Sequence, residues 1–255
     1  MKARFVLALL FSAVAGGQPL VEAPKLGCIV TPEGSVREVL GLNAAVIAGE
    51  PAMSGVRRAV CGSRISVVLL KSGIVAVDSR GKEAAWLEAN EPDALLSIAP
   101  GGESAAAYLA STGRWYGLRE NRWEELPLRL EEEVVAIAAG SGGAIAAVAR
   151  REERLWLVLL DSVTGMRVKE EPVGLATEHA FVWPDGAVLL AGEGGAVFRL
   201  RDGSQSTVHF PRVVTGLAAM SELGVLVTFG ERDNQYALLR EGDRISVFAI
   251  PGGAE

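Results

Sequence analysis

His179 and His209 are the only imidazoles in this chain. A zinc site needs three or four ligands in a recognisable cluster, and a nucleophilic site needs a base within hydrogen-bond reach of its nucleophile. The sequence around neither histidine supplies such a cluster, so it calls for no metal and no cofactor. Gly140-Ser141-Gly142-Gly143 matches only one flank of the Gly-x-Ser-x-Gly nucleophile elbow. Gly192-Glu193-Gly194-Gly195 is glycine-dense like a phosphate loop, but it joins two strand-like runs and opens no helix whose N-terminus would hold a phosphate. Cys28 and Cys61 remain. Either they pair, closing a loop of 33 residues that contributes about 3–4 kcal/mol on the chain-entropy argument, or they are two buried thiols acting as small hydrophobes.

The elements around these residues begin with an N-terminal processing signal. Lys2 and Arg4 precede an apolar run from Phe5 to Ala15, and Ala13-Val14-Ala15 offers small residues for cleavage. That order reads as a secretory signal peptide over residues 1–15, extending to about 17. The expectation is an exported chain, periplasmic or secreted, in a compartment where disulfides persist. Cys28 is a poor lipid-attachment site, because Lys25 stands where an apolar residue would be needed. No later run is long and apolar enough to span a bilayer as a helix. Losing residues 1–15 removes two cations and no acid, which moves the formal net charge from −6 to −8. An acidic chain without a basic cluster excludes nucleic acid as a partner. A protein or a glycan is the expected partner, and a monomer the expected state.

With 49% apolar and 22% charged residues, the 255-residue chain can bury a core. Its organisation is a repeat. The turn glycines Gly81, Gly165, Gly203 and Gly242, with Asn121 in the same role, follow one another at steps of 40, 44, 38 and 39 residues. Each turn joins two short apolar runs, and each unit reads as four short strands with tight turns. The units run over 56–89, 94–128, 134–170, 178–211 and 213–250, the third enlarged by a charged loop at 150–154. Four-stranded antiparallel units at this period are blades of a β-propeller. The expected fold is therefore all-β, a single propeller domain over 26–251 with five complete blades and an N-terminal hairpin. That hairpin, 27–31 with 36–41, looks like the third and fourth strands of a blade, and 43–49 can add another. Six positions with one built short is favoured, and five blades with the hairpin packed outside the ring is the alternative.

Pro184-Asp185-Gly186 and Ala99-Pro100-Gly101-Gly102 resemble the Ser-Pro-Asp-Gly turn of TolB-type and related bacterial propeller repeats. The Gly-His and Trp-Asp pairs of WD40 blades are missing. The resemblance implies an extracytoplasmic propeller and carries no functional residue with it.

On that fold, the residues opening the inner strands would ring the channel mouth. They are Arg57, Arg58, Asp93, Glu133, Glu178, His179 and Arg212, and they are the candidate binding residues. No spacing singles out two of the carboxylates as the acid and base of a glycosidase, so no catalytic residue is assigned. Four of the five tryptophans fall in apolar runs, while Trp183 sits at a turn and is the one expected at the surface. The reading that results is a binding or protein-interaction module. The alternative is a hydrolase or lyase acting on a carbohydrate or other polar substrate at the mouth.

Overall fold

A computed structural model of the chain describes residues 25–31, 33–42, 45–175, 179–192, 195–210, 213–222, 224–229 and 234–250. The proposed signal peptide, Glu178 and Arg212 lie outside them. Among the described residues there is no α-helix.

Five four-stranded antiparallel sheets follow one another along the chain. The first blade holds β4 (Val56–Cys61), β5 (Ile65–Leu70), β6 (Gly73–Asp78) and β7 (Glu83–Glu88), and the second β8 (Leu95–Ile98), β9 (Ala105–Leu109), β10 (Arg114–Arg119) and β11 (Arg122–Leu126). The third holds β12 (Glu133–Ala139), β13 (Ala144–Arg151), β14 (Arg154–Asp161) and β15 (Arg167–Leu175). The fourth comprises β16 (His179–Val182), β17 (Val188–Gly192), β18 (Gly195–Arg199) and β19 (Gln205–Val208), and the fifth β20 (Val214–Ala219), β21 (Gly224–Phe229), β22 (Asn234–Glu241) and β23 (Arg244–Ala249). These are the five units read from the repeat.

Burial explains the sequence pattern inside each blade. The inner and middle strands pack against neighbouring blades on both faces, so β6 and β9 are buried almost throughout and read as unbroken apolar runs. The outermost strands β7, β11 and β23 face water and are largely exposed. The cores therefore lie between blades. Val67, Leu69, Ile98 and Leu109 fill one seam, and Trp115, Leu128, Ile145 and Leu160 the next. Leu155, Val182 and Leu190 fill the third, and Trp183, Phe198, Val225 and Phe229 the fourth.

One local reading is corrected and one is borne out. The charged run at 150–154 is not a loop: β13 and β14 run through it and turn at Glu152-Glu153, with Glu152 at φ 55°. Five consecutive charges read as a loop, yet they stand on a hairpin that projects into solvent. At 120–121 both Glu120 and Asn121 take positive φ, 48° and 58°, as a two-residue type I′ turn requires.

The N-terminal piece is a three-stranded sheet, β1 (Lys25–Val30), β2 (Val36–Leu42) and β3 (Ala45–Met53), in that order. It sits between the fifth blade and the first. Cys28, Val36, Val56, Val68 and Val75 form the seam on one side, and Ile29, Val39, Met220, Leu226 and Ile250 the seam on the other. Its direction decides what it is. Cys28 lies opposite Cys61 at the end of β4, while the Val56 amide at the start of β4 donates to the Gly34 carbonyl just beyond β1 (2.8 Å). β1 thus runs antiparallel to β4, and β3 lies beside β23 as β7 lies beside β11. The three strands correspond to the second, third and fourth strands of a blade. The sequence reading found the hairpin of β1 and β2 and offered 43–49 as a further strand, which is β3; it placed the hairpin one position too far out, as third and fourth strands, because the short apolar run of β1 gives no direction.

Candidate functional site

The inner strands begin at one end of the ring and finish at the other, and the two ends are built differently. At the finishing end the turns between first and second strands converge. The Glu222 carboxylate accepts hydrogen bonds from the Ser63 amide (3.1 Å), the Ser63 hydroxyl (3.0 Å) and the Gly101 amide (2.8 Å). Cys28 and Cys61 are joined by a disulfide there, with Cα atoms 5.5 Å apart, and their two amides both donate to the Met220 carbonyl (3.2 Å each). Gly27 makes that approach possible, since a Cβ on it would lie 2.6 Å from the Met220 oxygen.

At the starting end, the mouth, a cleft of about 630 Å³ opens between β1, β4 and the fifth blade. Cys28, Ile29, Val30 and Thr31 form one wall and Val56, Arg57, Arg58 and Ala59 a second. Ala218, Ala219, Leu226, Thr228 and Gln235 form the third. A cleft of this size suits a small ligand or a short segment of chain. The central channel is a different space, about 40 Å³, walled by Leu95, Leu96, Val135, Ile137, Phe181 and Leu217 among others. Arg58 is its one charged lining residue among those described, and it lines the cleft as well.

Arg57 is exposed and has no ion pair among the described residues. Arg58 is half-buried, and its guanidinium donates to the Ala94 carbonyl (3.1 Å). Burial lowers its pKa while the nearby Asp93 carboxylate raises it; a guanidinium stays protonated through such a change. The mouth thus presents fixed positive charge over an apolar floor. Among the described residues lining the cleft there is no carboxylate and no imidazole, and the Cys28 sulfur is held in the disulfide, so nothing there serves as a general base or a thiolate nucleophile.

The remaining candidates disperse around the mouth. Asp93 is exposed just before β8, and Glu133 opens β12 and pairs with Arg150 (3.4 Å). His179 opens β16, half-buried, whereas His209 is exposed just beyond β19, the outermost strand of the same blade. The cleft gathers Arg57 and Arg58 from the set and leaves Asp93, Glu133 and His179 outside. Thr31, Thr228 and Gln235 were missed by sequence reasoning; Thr228 and Gln235 face each other on β21 and β22, and Thr31, just beyond β1, joins them only across the seam.

Trp183 is a correction. It is fully buried, edge-on to Phe181 and Phe198 at centroid distances of 4.9 and 5.4 Å. Arg240 lies over its ring at 5.4 Å and is tied to Asp185 by two hydrogen bonds of 2.7 Å each. The turn folds the indole inward and the ion pair covers it. Trp86, read as packed within a strand, is the large aromatic at the surface, 42% exposed on β7.

A second knot of charge lies on the third blade. Glu132 receives Arg151 (2.6 Å) and Arg167 (2.9 Å), and both arginines also reach Glu170. Burial pushes the Glu132 carboxyl up, but the hydrogen bonds from the two guanidiniums outweigh it and hold the pKa at about 2. Arg151 also stacks over Trp156 at 4.8 Å. These charges satisfy one another, which suits holding β12 to β15 rather than receiving a ligand.

The chain matches no family model and no curated protein. Among solved structures it is similar to a chain of the nidogen/laminin complex, with a TM-score of 0.52 and 9% identity, covering 85% of this chain and 90% of that one. It is also similar to the WD40 domain of Pan2 from Neurospora crassa, with a TM-score of 0.50 and 11% identity, covering 90% and 80%. At such identities the likeness shows the β-propeller fold alone.

Proposed function

We propose that this chain is an exported β-propeller that binds a protein partner at its mouth cleft. The observation that carries the reading is the contrast between the two spaces on the axis. The cleft is open, about 630 Å³, of mixed polar and apolar lining and edged by two arginines, while the channel is about 40 Å³ and lined mainly by apolar side chains. Chemistry on a polar substrate needs convergent polar groups with an acid and a base, and the cleft offers cations, hydroxyls and apolar surface instead. Such a lining suits recognition, in which an apolar centre supplies affinity and a charged edge supplies orientation and partner choice.

Export rests on the n-, h- and c-regions of residues 1–15 and is consistent with the disulfide. Intact-mass measurement of chain recovered from an exporting host should place the mature N-terminus near Gly16 or Gln18. For the binding role, the mature chain and its Arg57→Glu, Arg58→Glu double variant should be used side by side as baits against the native cell envelope. A protein retained by the first and lost by the second is the expected result. Equal retention by both baits, or enrichment of a glycan instead, would defeat this reading.

A further inference from the structure

Every complete blade has an innermost strand, whereas the N-terminal sheet begins with the equivalent of a second strand, β1. Its inner edge therefore borders a place that no strand among the described residues fills, and the mouth cleft is that place: β1 forms one wall, and the inner strands β4 and β20 stand on either side. The edge of β1 also carries backbone groups without a partner among the described residues. In an antiparallel ladder, alternate residues turn their amides toward and away from the partner strand. The Cys28 amide points away from β2, since it donates to Met220, and the Thr31 amide points toward the β2 side, to the Ser35 carbonyl (2.8 Å). Val30, two residues from Cys28, accordingly turns its N–H and C=O into the cleft. An uncovered strand edge is a template for another strand.

From this geometry we infer that the cleft receives an extended peptide of a partner protein as a fourth strand, antiparallel to β1 and in the place of the innermost strand, with a carboxylate at its mouth end against Arg57. The inference rests on the binding reading above and names its mode, strand addition. The inner strands of the complete blades have four to seven residues, from β8 to β12, which sets the length of the inserted segment. One face of that strand would meet Val56 and Ala59 and the other Ala218 and Leu226, so its side chains should be apolar on both faces, as in β6 and β9. Running from the mouth inward like β4, it would bring its N-terminal residue level with Arg57. Arg58 is already engaged with Ala94 and faces Asp93, whereas Arg57 has no ion pair among the described residues, so the positive charge that selects an acidic residue is that of Arg57.

The test uses the full mature chain and a fluorescein-labelled seven-residue peptide, one glutamate followed by alternating valine and alanine so that both faces are apolar, with a lysine-first version as control. Saturable binding by anisotropy is expected, weaker by about tenfold for the lysine version and for Arg57→Glu. Val30→Pro removes an amide that the β1–β2 ladder does not use, and should weaken binding by about tenfold or more. Because proline can also distort β1, amide exchange is measured on the unaltered chain: the Val30 amide should exchange more slowly with peptide than without. Binding without protection at Val30, or no difference between the glutamate and lysine peptides, would sink the proposal. So would a Val30 amide already protected in the free mature chain with the peptide binding only after residues before Lys25 are removed, because the chain's own upstream segment would then fill the place. If the peptide fails while partner capture still depends on Arg57 and Arg58, strand addition falls and the binding reading stands. If that dependence fails too, both fall.

Discussion

The seam between the second and third blades and the seam between the N-terminal sheet and the first blade do the same job by different means. Trp115, Leu128, Ile145 and Leu160 close the former by packing along its face, with Trp115 fully buried. Among the described residues, only the Ala139 amide to the Ser97 hydroxyl (2.9 Å) and the Arg119 guanidinium to the Ser162 hydroxyl (2.8 Å) add hydrogen bonds across it. The latter has the smaller valines Val36, Val56, Val68 and Val75, has no innermost strand among the described residues, and is fastened by the Cys28–Cys61 bond and by the Met220 carbonyl. Interdigitated aromatics and leucines supply cohesion along a whole face. Covalent and hydrogen-bonded fastening supplies it at one end and leaves the other end open, which is where the cleft lies.

The largest effect should come from removing the bond. The Cys28→Ser, Cys61→Ser double variant is expected to lose about 2–4 kcal/mol of stability in denaturant unfolding. Amide exchange in the same variant should speed up in β1 and β2 while β9, β13 and β14 keep their protection. Uniform loss across both seams would mean that they are not built differently. A smaller effect is expected at the end the bond shares with Glu222. Glu222→Ala strands the Ser63 and Gly101 amides, and because the site is partly solvated the cost should be about 1–2 kcal/mol. A midpoint unchanged in urea would show that water replaces the carboxylate fully.

A third effect belongs to the third blade and is confined to acid. Glu132 has its pKa lowered from 4.5 to about 2 by the two arginines, so its contribution is complete above pH 4.5 and is lost as the pH falls toward 2. Glu132→Gln should flatten the stability profile between those values and leave Cys28–Cys61 seam exchange unchanged. A wild-type midpoint that does not fall in that window would remove the arginines as its cause.

Much of this architecture was readable because strand pairs and turns are local. The positive φ at Gly81, Asn121 and Gly242 and the apolar runs of β5, β6 and β9 each reflect residues within a few positions of one another. What escaped reading depended on partners far away in sequence. Trp183 sits at a turn in sequence and is covered by Arg240, 57 residues later. The cleft joins Thr31 to Thr228, and the orientation of β1 is fixed by Cys61 and Met220 rather than by its own six residues. Arg57 and Arg58 were found because their position at the start of an inner strand follows from the repeat. Their separation from Glu133 and His179 depends on the seam.

The bond between Cys28 and Cys61 also decides how the ring would respond to a pull. It makes the N-terminal sheet and the first blade one covalent unit, so tension across that joint is borne by sulfur. On the far side of β1, the fifth blade is held by the side chains around Met220 and by the two amides that its carbonyl accepts. The molecule is in this respect a split washer, with one welded shoulder and one latched shoulder. Load applied around the circumference would part it at the latch, between β1 and β20, before the other joints yield.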